Sequence, residues 1–206
     1  MAIVVVGGHS RNIGKTSVVV GLIGGLAAYN WTAFKITQFG HGQCSLNGER
    51  CDCAPHDRCW ALTEEQDKSG NSDSSRFLVA GAKRAFWVRT EQGRLEEALP
   101  AIQRKIAAAE NVIIESNSIL RFLDPDLYIT VLDPSTEDFK ASAQEYLERA
   151  DAVVLHQSGT FTAQWKEVTP EMVEGRPVFR IAPPAYVTDG LVEFVKTHLQ
   201  SKVSSR

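Results

Sequence analysis

Apolar residues recur along this chain in two patterns. Continuous β-branched or aromatic runs stand at residues 2–6, 31–37, 85–90, 111–116, 126–133, 151–157 and 177–182. Runs of this kind suit strands buried on both faces. Between them, apolar positions spaced three and four apart predict helices over 15–29, 74–82, 95–109, 137–150 and 189–201. The alternation implies right-handed crossovers and a doubly wound, mainly parallel α/β sheet of about seven strands with helices on both faces. Residues 1–206 read as one domain of this type. Residues 38–75 break the pattern, being polar, rich in Gly, Ser, Asp and Cys, and without a period. We read them as a Cys-rich insertion over a site rather than as core.

In such sheets ligands bind at the carboxyl ends of the strands. The first strand runs directly into GGHSRNIGKTS and the first helix. This is the setting of a phosphate loop, whose amides and positive helix end attract phosphate oxygens. His9 stands where the usual G-x-x-x-x-G-K-[ST] pattern has its first glycine. Counting back from Gly14, Gly8 leaves five intervening residues, so the loop is read as one residue longer than standard. Gly8, His9, Ser10, Arg11, Asn12, Ile13, Gly14, Lys15, Thr16 and Ser17 are therefore the candidate nucleotide-binding residues. Lys15 is expected to reach the β- and γ-phosphates and the Thr16 hydroxyl to ligate Mg²⁺. Arg11 is either a further phosphate neighbour or a solvated arginine.

Glu115 ends the apolar run NVIIE, where a carboxylate needs a cation or a partner. It is a candidate Mg²⁺ ligand, with Asp133 at the end of YITVLD as an alternative that equally suits a cap. Lys35, ending a strand in FKIT, either faces the γ-phosphate or snorkels to water. Lys15, Lys35 and Glu115 form the candidate catalytic set. No Asn-Lys-x-Asp guanine reader follows the last strands, so ATP and GTP both remain open.

Cys44, Cys51, Cys53 and Cys59 fall within sixteen residues, and the chain has no other cysteine. Four thiols in a polar stretch suggest a Zn²⁺ site or an Fe–S cluster. The spacing lacks a Cys-x₂-Cys knuckle, and disulfides or an unligated loop are the alternatives. His56 lies among them. The net charge is −3, so no basic field points to nucleic acid or an anionic membrane. No apolar run is long enough for a membrane span, and the opening MAIVVVGG lacks a signal peptide's basic region, so a cytoplasmic location is expected.

Together these motifs resemble the MobB family (molybdopterin-guanine dinucleotide biosynthesis protein B) and the wider P-loop group that includes dethiobiotin synthetase. GGHSRNIGKTS resembles the lengthened loop of dethiobiotin synthetase, and FKIT the lysine-bearing second strand of both families. DSSRFLVAGA is similar to a MobB pattern of Asp-Ser followed by Ala-Gly-Ala, and VIIES stands where those proteins have an acid at a strand end. Ser116 replaces the glycine after the acid, and no histidine pair follows the second strand. The resemblance implies a P-loop NTPase fold, ATP or GTP with Mg²⁺, Asp73 as a further acidic Mg²⁺ residue beside Thr16 and Glu115, and a homodimer or protein partner. Nucleotide hydrolysis or phosphoryl transfer, in molybdopterin guanine dinucleotide synthesis, is the first functional expectation. The alternatives are a small-molecule kinase or ligase of the dethiobiotin synthetase type and a nucleotide-controlled metallochaperone.

Overall fold

The computed structural model describes residues 1–40, 59–157, 165, 168 and 170–204. Eight strands form one sheet: β1 (Ile3–Gly8), β2 (Trp31–Phe39), β3 (Trp60–Glu64), β4 (Arg84–Glu91), β5 (Asn111–Glu115), β6 (Leu127–Leu132), β7 (Ala152–His156) and β8 (Val178–Ile181). Their order is β3-β4-β2-β5-β1-β6-β7-β8, and all pairings are parallel except β3 with β4. The helices are α1 (Lys15–Gly25), α2 (Asp73–Val79), α3 (Leu95–Ala107), α4 (Ala141–Tyr146) and α5 (Asp189–Ser204). β1 lies between β5 and β6, so the turn that follows it opens at the middle of the carboxyl edge.

Two apolar layers sandwich the sheet. On one face Val18, Val19, Leu22 and Ile23 of α1, Phe77 of α2 and Leu191, Val195 and Leu199 of α5 pack on Val4, Val6, Ala33, Ala85, Ile113 and Ile129. On the other, Leu95, Ala98, Ile102 and Ile106 of α3 pack on Val5, Phe34, Phe86, Val112 and Ile114. Neighbouring residues of β1, β5 and β6 thus serve opposite layers, which is why their sequences are apolar at nearly every position.

The sequence pattern gives seven strands; β3 is the eighth, and it lies inside the stretch read as an insertion. Its five residues show no clean alternation because they form an edge strand, half-buried at four positions. Leu62 packs on the α3 layer, and Glu64 holds Arg84 through two hydrogen bonds of 2.7 and 2.8 Å. Ser74 and Ser75, at the end of the same stretch, are also buried. The first helix stops earlier than its apolar spacing suggests: α1 ends at Gly25, and a 3₁₀ turn over Ala27–Tyr29 leads to Asn30 at φ 50°. The helix expected over 137–150 is confined to α4 and a 3₁₀ turn at Leu147–Arg149, because residues 133–140 are bound to the loop after β1.

Ile113, fully buried at the centre of β5, measures how far the sheet depends on this layer. Ile113→Ala is expected to destabilise the protein by about 2–5 kcal/mol, read as a fall in urea midpoint at unchanged slope.

Candidate phosphate-binding site

The turn from β1 into α1 carries little regular hydrogen bonding of its own, yet three neighbouring segments pin it. The amide of Gly8 donates to Asn117 Oδ1 at 2.9 Å, and Asn117 Nδ2 donates back to the Gly8 carbonyl at 2.9 Å. One side-chain amide therefore gives Gly8 both bonds that a strand neighbour would supply. A Cβ on Gly8 would lie 2.8 Å from the Val131 carbonyl oxygen and 2.9 Å from Ile13 Cδ1, so the cramped position is Gly8 and not residue 9.

His9 is fully buried and points away from the turn. The Asp133 amide donates to its Nε2 at 3.0 Å, so Nδ1 carries the proton and donates to the Asp138 carbonyl at 2.7 Å. Burial pushes the imidazole pKa below its usual value, the Asp138 bond opposes this, and the Lys15 ammonium adds to the lowering. The neutral ring is the form this bonding pattern requires. Phe139 stacks on it and the Trp165 ring lies tilted against it, with centroids 5.1 and 4.8 Å away. The His9 amide donates to Val131 O at 3.3 Å, its carbonyl accepts from the Lys140 amide at 2.9 Å, and Ser10 Oγ donates to Asp138 Oδ2 at 2.6 Å. The residue that departs from the glycine pattern is thus a bolt between the turn and residues 133–140.

On the far side, the His156 Nε2 lies 3.0 Å from the Ile13 carbonyl oxygen. Asn12 has φ 58° and Gly14 φ 84°. A Cβ on Gly14 would also come within 2.3 Å of the Tyr186 ring, so glycine is needed there on two counts. The first helical bond of α1 runs from the Val18 amide to the Gly14 carbonyl. The amides of Gly14, Lys15, Thr16 and Ser17 consequently have no acceptor within the helix, and they stand at its positive end.

The charged groups meet beside this helix start. Lys35 Nζ lies 2.6 Å from Glu115 Oε1, 2.7 Å from Asp73 Oδ2 and 3.2 Å from Thr16 Oγ1. Thr16 Oγ1 donates to the other oxygen of Glu115 at 2.8 Å. Glu115 is only 3% exposed and Lys35 15%. Burial alone would lower the Lys35 pKa, but Glu115 and then Asp73 outweigh it, and the ammonium ends above its usual value. Asp73 is delivered by the start of α2, where Ser72 caps the helix by accepting from the Ser75 amide at 3.1 Å. Glu65 holds that approach through Ser72 and Ser74, at 3.0 and 2.6 Å. Arg76 ties α2 to α1 through Ser17 Oγ at 3.0 Å.

The oxygens of Thr16, Asp73 and Glu115 already face one cationic nitrogen, and hydroxyl and carboxylate oxygens are the donors a hard divalent ion takes. The set fits Mg²⁺ in its chemistry. Among the described residues, no group of three or more His, Cys, Asp or Glu side chains is gathered to hold a metal. A cation here would need oxygens from a ligand or water to complete its shell.

Lys15 folds back so that its ammonium donates to the Ser10 carbonyl. Burial pulls its pKa down to about 8, with Glu115 opposing and Lys140 and Lys35 adding to the fall. Lys140 was not singled out from the sequence. It precedes α4, and its side chain is half-buried; burial, then the cations Arg11 and Lys35, lower its pKa. Lysines beside a phosphate loop are unfavourable neighbours for one another unless an anion comes between them.

The remaining sequence candidates lie apart. Asp133 caps Ser135, accepting from its amide at 3.0 Å and its hydroxyl at 2.6 Å, and stands 3.8 Å from His156 Nδ1. Cys44, Cys51, Cys53 and His56 lie outside the described residues. Cys59 precedes β3, and its thiol donates to Glu97 Oε2 at 2.6 Å, a bond that raises its pKa. The signals for the pinning residues were weak in sequence: Asn117 is two residues past the strand-end acid, and His156 ends β7.

No family model and no curated protein matches the chain. Among solved structures, nickel-bound HypB from Helicobacter pylori superimposes with a TM-score of 0.50 at 16% identity, covering 97% of this chain and 86% of its own. LpxK from Aquifex aeolicus in complex with ATP gives 0.49 at 19% identity, over 87% of this chain and 53% of its own. MobB from Bacillus subtilis gives 0.42 at 16% identity, over 96% and 98%. The likeness to HypB shows a shared α/β fold.

Lys15 makes the site's charge visible in stability. Between pH 8 and 10.5 the unfolded chain holds a proton that folded Lys15 has released, so this residue makes stability rise with pH across that window. Urea midpoints taken from pH 7.5 to 10 are expected to show a smaller rise in Lys15→Met than in the parent, with the variant the more stable of the two near pH 7.5.

Proposed function

We propose that this protein binds ATP or GTP with Mg²⁺ on the turn between β1 and α1 and either hydrolyses it or transfers its γ-phosphoryl group. The observation that carries this reading is the meeting of Lys35, Glu115, Asp73 and Thr16 around one point beside an uncapped helix start. Two carboxylates and one hydroxyl gather on a buried ammonium at the carboxyl edge, which is where α/β sheets bind ligands. The shared fold is consistent with it.

In this reading the phosphates lie over the amides from Ser10 to Ser17, since those of Gly8 and His9 are already bonded elsewhere. Arg11, Asn12 and Ile13 contribute backbone, Gly14 the close approach. Lys15 leaves the Ser10 carbonyl and turns to the β- and γ-phosphates. Thr16, Asp73 and Glu115 would hold Mg²⁺, which when bound neutralises charge on the phosphate oxygens. Lys35, released from part of its ion-pair set, stays charged and faces the transferring group, and Lys140 adds a cation from the opposite wall. Catalysis is then positioning and electrostatic stabilisation, with no covalent intermediate on the protein. A place in molybdopterin guanine dinucleotide synthesis is the finer assignment, and it rests on the sequence motifs. The packing of four thiols into sixteen residues favours a second reading, in which nucleotide state governs a metal carried by the cysteines. Zinc at about one equivalent, or iron at about two or four with matching sulfide, in freshly purified protein and lost in Cys51→Ser, is its expected signature.

Calorimetry with Mg·ATP and Mg·GTP tests the main reading. Lys15→Ala is expected to weaken binding at least about a hundredfold, comparable to the loss of a buried charge-assisted contact. At pH 8.5 the parent is expected to take up a proton on binding, because phosphate oxygens restore the charge that burial removes from Lys15. Full affinity in Lys15→Ala would overturn the assignment.

A further inference from the structure

Beyond the phosphate site, the same sheet face continues outward across β2, β4 and β3. The parallel register pairs Lys35 with Trp87 and Thr37 with Arg89, so all four stand on the face from which Lys35 reaches Glu115 and Asp73. Trp87 is fixed there: its Nε1 donates to Thr37 Oγ1 at 2.9 Å. The Arg89 guanidinium lies over the Trp87 ring, 4.6 Å from its centroid. Its Nε is sealed from solvent with no hydrogen-bond partner.

Arg89 differs in this from other arginines of the fold. Arg84 is held by Glu64, Arg94 by Glu91 and Glu97, and Arg149 by Asp124 and the Leu120 carbonyl. Arg89 has no acid or carbonyl among the described residues, and Glu91, on the same strand face, is taken by Arg94 at 3.2 Å. On its outer side β3 sets Ala61 opposite Arg89 and Thr63 opposite Trp87, both short side chains. A planar cation is therefore stacked, partly desolvated and without an anion among the described residues, two strand residues (about 7 Å) along from the Lys35 position.

We propose that Arg89, held on Trp87, binds the oxyanion of a small molecule, a carboxylate or a phosphate, and so presents that molecule to the phosphate site as its acceptor. The guanidinium fork matches either group in two-point fashion, and stacking on an indole fixes its plane beforehand. The acceptor role rests on the nucleotide reading above; the oxyanion site rests on the Arg89 geometry alone.

The test uses the full chain, loaded with a non-hydrolysable Mg·ATP analogue so that the phosphate loop is filled. Succinate and inorganic phosphate are titrated separately at constant ionic strength against sodium chloride. The Arg89 Nε–H resonance, assigned by its loss in Arg89→Lys, is expected to shift saturably with at least one of the two probes. Trp87 emission, assigned with Trp87→Phe, should change with the same midpoint. Arg89→Lys, which keeps the charge but not the fork, is expected to weaken the probe about tenfold or more. A response to succinate alone marks a carboxylate site, and one to phosphate alone a phosphate site. A shift with neither probe beyond the chloride control overturns the proposal without recourse to any variant. If the protein fails to bind Mg·nucleotide while Arg89 still responds, the nucleotide reading falls and the oxyanion site stands.

Discussion

The arrangement of this protein depends on one buried cation. Lys35 Nζ is shared by Glu115 and Asp73 and touches Thr16, and these residues come from β2, β5, α2 and α1. Removing either partner from a buried pair of this kind leaves a charge without compensation, at about 3–5 kcal/mol. The pair therefore constrains the placement of four elements and keeps two carboxylates close together at the carboxyl edge. It holds in place a set of oxygens that has no other reason to converge.

The loop after β1 is organised by a different kind of bond. Its own backbone cannot stay open unless something replaces the contacts it forgoes. Asn117 supplies strand-like bonds to Gly8, His9 plugs into residues 133–140, and His156 reaches the Ile13 carbonyl. Each support comes from a separate strand end, β5, β6 or β7. The turn thus reports the spacing of three strands and is held in one shape by them, and a fixed array of dipoles is the condition that electrostatic binding needs.

Much of this was legible in the sequence. β1, β5, β6 and β7 announced themselves because parallel strands covered on both faces are apolar throughout. β8, also read as a buried strand, is an edge strand exposed at Val178 and Arg180 and was legible only through its Val, Phe and Ile. The Gly-Lys-Thr sequence between a strand and a helix identified the loop, and Lys35, Asp73 and Glu115 each stood at or near a strand end or helix start. β3 escaped notice because an edge strand with one half-covered face, TrpAlaLeuThrGlu, has too few buried positions to show a period. The role of His9 was also illegible: its partners are backbone groups 124 and 129 residues away, which no local pattern encodes. Lys140 and Arg89 were missed for a related reason. Among the described residues neither has a hydrogen-bond or ion-pair partner for its cationic group, and an absent partner leaves no trace in a sequence.

The antiparallel edge strand has a topological consequence. β2 finishes at Phe39 and β3 begins at Trp60, and because β3 runs against β4, both points lie on the same rim of the sheet. Two points on one rim can be joined without a connection crossing either face, and the entropy of closing such a connection grows only with the logarithm of its length. A connection of another length at this rim would leave the pairings of β2, β4 and β3 as they are, so this edge tolerates change in length that the inner strands do not.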